Sequence, residues 1–150
     1  MAVGIITNLF IIEEGDPPHR YLGYTIVAVV LMRLLYGLKK NDHTSIKKFP
    51  LSIKNLKIFI VDKMNHKDVK YDGHNPMASL VYVLMWALVF CLGISGFMMG
   101  TDYFFGEDWL EEVHEFFSIL MQILIASHFL GMAIDSIQFK RKAWIGMFKG

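Results

Sequence analysis

The chain has one cysteine, Cys91, and it lies inside an apolar run. A lone cysteine excludes a disulfide framework within the chain, a cysteine-based zinc cluster and a CxxCH haem attachment. Any haem would be b-type, held by side chains alone. Charge is scarce too. Charged residues make up 19% of the 150, and they fall in blocks rather than being interspersed. The formal net charge of +1 says little about partners; the asymmetry of sign along the chain says more. No nucleic-acid partner is expected. No internal repeat, low-complexity tract or linker divides the chain, so one domain is expected. Residues Met1 to Ile12 are apolar but have no positive n-region and no clear cleavage site, which makes them a poor signal peptide.

What the chain has in excess is apolar length. It is 54% hydrophobic, with a mean hydropathy of +0.40, above the range of an ordinary soluble domain. A hydrocarbon core of roughly 30 Å needs about 20 apolar residues in a helix. Three segments meet that length: Tyr21 to Leu38, Met77 to Met99 and Phe116 to Phe139. Asn75-Pro76 opens the second, with Asn as N-cap and Pro at the first helical position. Residues 1–12 would rise only about 18 Å as a helix and read as the tail of a further helix. The segment from Lys39 to Lys70 carries nine lysines, and Lys140, Arg141, Lys142 and Lys149 follow the last span. The opposite side holds Glu13, Glu14 and Asp16, and the stretch from Asp102 to Glu115, with Arg20 as its one cation. The positive-inside rule then puts the 39–73 loop and the C-terminus in the cytoplasm of a multi-pass protein of the bacterial inner membrane. Trp109 with Tyr103, Phe104 and Phe105 forms an outer aromatic belt, and Trp144 marks the inner side. PLSIKNLKIFIV, within the lysine loop, reads either as a short helix on the inner leaflet or as an ordinary loop helix.

The chemistry rests on histidines. His114 and His128 are fourteen residues apart, which is about 1400° of helix, so their side chains lie roughly 40° apart on one face and about 21 Å apart along the axis. A neutral imidazole is a good iron ligand, and a histidine within a membrane is costly without a partner. Two of them at two depths point to two stacked haems. Topology puts His19 at the level of His114, which makes the two candidate axial ligands of one outer haem; the bland alternative for His19 is an interfacial histidine after Pro17-Pro18. Gly23 and Gly131, each about one turn beyond a histidine, leave room for a flat macrocycle. His128 has a ligand reading and a core-histidine reading, and no evident partner in the chain. His74 suits a haem propionate or a capping role, whereas His43 and His66 read as solvated. Arg33 could pair with propionates of an inner haem or could snorkel at a helix end. Asp135 is either a proton-handling group near a quinone or a helix-end charge near Lys140 and Arg141. Gly93, Gly96 and Gly100 serve close helix packing or the close approach of a haem or quinone. The ten methionines read as lipid-facing or packing residues.

HRYLGYTIVAVVLMRLLYGL, GHNPMASL, the histidines of EEVHEFF and ASHFLGM, and the closing KRKAWIGMFKG, in that order and spacing, resemble the prokaryotic cytochrome b561 family. This family includes the b-type cytochrome subunits of nickel-iron hydrogenases. The resemblance covers nearly the whole chain. It implies an all-α integral membrane protein of the haem-binding four-helix-bundle type, here with three full spans and a truncated N-terminal helix. It also implies two b haems, with His19 and His114 on the outer haem and His128 on one side of the inner one. In the family the other inner ligand is a histidine, usually followed by tryptophan, early in the first helix. This sequence departs there: either the reading frame begins too late, which is the expectation, or the protein carries an incomplete inner site.

The function expected is electron transfer in the bacterial inner membrane, between the quinone pool and a redox protein such as a cytochrome c or a hydrogenase-like subunit. Bis-histidine iron has no open position, so it favours one-electron relay over substrate chemistry. Alternatives are a haem-bearing anchor of a hydrogenase- or dehydrogenase-like complex and a haem-free membrane protein that handles metal or protons.

Overall fold

Long apolar runs separated by Gly-Asp-Pro-Pro, by the lysine loop and by a Gly-containing turn give five helices. The computed structural model describes residues 2–39, 49–65 and 75–138. The helices are α1 (Ala2–Phe10), α2 (Pro17–Lys39), α3 (Ile53–Met64), α4 (Pro76–Met99) and α5 (Asp108–Gln138), with no strand among the described residues. Helices α2, α4 and α5 have 23, 24 and 31 residues and are apolar enough to cross a membrane. At 1.5 Å per residue each exceeds a hydrocarbon core of roughly 30 Å. The chain is thus an all-α membrane protein with three full spans and a short N-terminal helix.

The helix ends follow local chemistry. Asn75 Oδ1 accepts the Ala78 N–H at 2.7 Å and caps α4, and Pro76 is buried just inside it. Ser52 Oγ accepts the Asn55 N–H at 3.2 Å and caps α3. Two spans start earlier than their apolar runs. Helix α2 begins at Pro17 rather than Tyr21, since proline is tolerated in a first turn, where its missing N–H has no helical partner anyway. His19 therefore stands on a helix and not in a loop. Helix α5 begins at Asp108, eight residues before Phe116. Asp108 and Glu111 favour the positive end of its dipole, and Leu110, 2% exposed, anchors that turn.

The chain divides into two compact units. The first comprises Met1–Lys47 and Leu84–Gln122. In it α1 packs on α2, and Ile5, Ile26, Val30, Trp86, Val89 and Met121 are buried. Lipid tails are as apolar as leucine, so burial alone does little to hold such helices together. Close packing at small residues does that work. Gly93 of α4 is the clearest case, since a Cβ there would lie 2.5 Å from Val27 Cγ2 of α2. The second unit comprises Lys48–Val83 and Ile123–Gly150. It contains α3, the start of α4 with buried Ser79 and Val81, and the end of α5 with buried Ile125. Lys63 of α3 pairs with Asp135 of α5, and Gln138 Nε2 donates to the Lys63 carbonyl at 3.1 Å.

Candidate functional site

In the first unit, the first turn of α2 carries His19 and the second turn of α5 carries His114. Their ring centroids are 6.3 Å apart, with the ring planes at 66°. With metal–imidazole bonds of about 2 Å on opposite sides of one ion, two ring centres fall roughly 6 Å apart. The two histidines lie together as the sequence pattern predicts.

His114 is held by Ser95. The Ser95 hydroxyl lies 2.9 Å from the Cys91 carbonyl and 2.8 Å from His114 Nδ1. A hydroxyl has one hydrogen, and a carbonyl can only accept. With its hydrogen on the Cys91 carbonyl, Ser95 accepts from an Nδ1–H tautomer of His114, the one that keeps a lone pair on Nε2. A metal-binding histidine is oriented in this way, through the nitrogen that does not bind. His19 Nδ1 is buried and has no hydrogen-bond partner among the described residues.

The histidines border a cavity of about 450 Å³, whose walls come from α1, α2, α4 and α5. Gly23 lines it from α2, and Asn8, with a buried Oδ1 that has no hydrogen-bond partner, lines it from α1. Gly93 and Gly96 of α4, and Gly100 just beyond its end, each make room for a different group. Gly93 admits Val27, Gly96 admits the His114 ring, 3.3 Å from where a Cβ would be, and Gly100 admits the Arg20 guanidinium. The glycines thus serve packing and the placement of a histidine together. Arg20, Glu14, Glu111 and Glu115 also line the cavity, giving it a charged edge. Outside it, Trp109 donates to Glu107 at 3.2 Å and stacks edge-on with Phe104, whose ring meets Tyr103. Ser95, Asn8 and Arg20 were not singled out by sequence reasoning. Ser95 had a signal, a polar residue within an apolar run, but hydroxyls in helices often bond only their own backbone.

His128 stands in the second unit, half-buried, with its ring centroid 6.0 Å from Tyr82 and 6.2 Å from Phe129. No second histidine accompanies it among the described residues. Gly131 faces open space. Asp135 is a helix-end charge whose partner is Lys63. Arg33, in the first unit, lies 5.9 Å from the Trp86 ring. His43, His66, His74, Lys140, Arg141, Lys142, Trp144 and Lys149 lie outside the described residues; the cap of α4 is Asn75 itself.

Among the described residues, no three His, Cys, Asp or Glu side chains cluster to enclose a metal ion. The family described as prokaryotic cytochrome b561 matches residues 2–150. No curated protein and no solved structure matches the chain.

Proposed function

The chain belongs to the prokaryotic cytochrome b561 family of membrane b-type cytochromes, and from that premise we propose that it relays electrons between the quinone pool and a redox protein partner across a bacterial inner membrane. His19 and His114 would hold its outer haem. The observation that carries this is the 6.3 Å spacing of the two rings beside a cavity lined by both. The orphaned His19 nitrogen and the Ser95 contact at His114 Nδ1 support it. When bound, the haem supplies one-electron redox chemistry. The chain's own residues do the rest. Ser95 holds the imidazole of His114, and Gly96 lets that ring stand against α4. Buried Val89 and Met121 line the cavity and exclude water. Arg20 offers a cation to propionates at the charged edge. His128, in the second unit, would hold one side of an inner haem.

Substitution of the paired histidines tests the reading. His19→Ala and His114→Ala should each abolish the low-spin b-type absorption of the outer site while leaving the helical content intact. A purified chain without b-type absorption, or a His114→Ala variant with an unchanged spectrum, would overturn it.

A further inference from the structure

Helix α3 presents its apolar side away from the protein. At 100° per residue, Ile53, Ile60, Val61 and Met64 fall on one half of the helix. They are 73%, 45%, 54% and 75% exposed. Lys54 and Lys57 share that half and are exposed as well. The other half, with Leu56, Phe59, Asp62 and Lys63, is half-buried against the rest of its unit. A loop helix bathed in water would be arranged the other way round, with its aliphatic side chains inward.

The level of α3 is set by its last turn. Lys63 pairs with Asp135, and the Lys63 carbonyl accepts from Gln138 Nε2. Both partners lie in the last turn of α5, a helix long and apolar enough to cross a membrane. The C-terminal end of α3 is therefore tied to the mouth of a membrane span. An aliphatic face flanked by lysines, held at the headgroup level, matches an in-plane helix on an anionic leaflet.

We propose that α3 is a membrane-surface helix, with Ile53, Ile60, Val61 and Met64 sunk below the headgroups and Lys54 and Lys57 contacting anionic lipid. Its occupant is the lipid surface, and neither a second copy nor a soluble partner. This inference stands apart from haem binding and from the side of the membrane on which the loop lies.

The test uses the full chain, with Cys91→Ser, in lipid nanodiscs. A spin label is attached at Ile60→Cys or Met64→Cys, and its collisions with oxygen, which concentrates in lipid, are compared with those of a water-soluble nickel chelate. A label at Gly106→Cys, in an exposed turn, gives the aqueous reference. In discs containing phosphatidylglycerol, both α3 labels should favour oxygen. Lys54→Gln with Lys57→Gln, or discs of phosphatidylcholine alone, should lower the ratio of docked to undocked helix by on the order of fivefold per lysine removed or left without an anionic partner. Far-UV circular dichroism confirms that each variant remains helical. Nickel collisions equal to the Gly106 reference in anionic discs would overturn the proposal. So would labels shielded from both reagents in every lipid, because a protein surface would then cover α3.

Discussion

The Ser95 hydroxyl stands between a carbonyl that can only accept and the Nδ1 of His114, and with its hydrogen on the carbonyl it pairs with the Nδ1–H tautomer. Ser95→Ala would leave Nδ1–H without its acceptor and the ring free to turn. The expected result is haem retention weaker by about ten- to a hundredfold, the range found for lost outer contacts of metal ligands, together with a shifted midpoint potential. Ser95→Thr, which keeps the hydroxyl, should restore both. Redox titration and haem-to-protein ratio provide the check; equal values for Ser95→Ala and the parent chain would remove Ser95 from the site. Gly96 gives a second prediction. An added methyl would sit 3.3 Å from His114 Cε1, so Gly96→Ala should perturb the low-spin absorption while sparing helicity. The proximity of His19 and His114 was legible in sequence because alternating spans put the two at one level. The contact of Ser95 was not, because its hydroxyl has a backbone acceptor within its own helix and nothing local requires a second bond.

Between helices, the approach of α2 to α4 turns on Gly93. A Cβ at that position would meet Val27 Cγ2 at 2.5 Å, a distance that forces something to move. Gly93→Ala should therefore destabilise the first unit by about 1–3 kcal/mol, seen as a lower Tm in detergent or lipid. Val27→Ala in the same chain should recover most of that loss, whereas independent sites would simply add. The glycine spacing was legible as a packing signal, but which side chain each glycine admits was not. Helix starts show a similar divide. Asn75-Pro76 announced the start of α4, because a cap and a first-turn proline are local chemistry. The apolar spans that open at Tyr21 and Phe116 start later than the helices α2 and α5 that contain them. Hydropathy marks where a helix turns apolar, whereas the helix itself begins earlier: α2 has prolines in its first turn, and α5 has Asp108 and Glu111 at the positive end of its dipole and Leu110 buried.

Across the membrane, sign asymmetry is the strongest long-range pattern in the chain. Lysines dominate the segment between the first two spans, and acids surround the turn before the last. If the positive-inside rule governs this protein, a tag inserted near Lys48 should be shielded from impermeant reagents outside the cell. A tag near Gly106 should react. The reverse pattern would overturn the orientation and the description of the His19–His114 level as outer. The residue order settled what depends on transfer between water and lipid: three spans, an all-α membrane fold and the few histidines a bilayer would tolerate. These follow from composition summed over about 20 residues, a sum that needs no knowledge of neighbours. Folding had to supply what depends on ångström-scale contact. The 6.3 Å between the imidazoles, the serine behind one of them, the glycines that admit Val27 and a histidine ring, and the lysine that ties α3 to α5 all join residues remote in sequence. Such contacts arise from packing and directional hydrogen bonds, which no hydropathy sum contains.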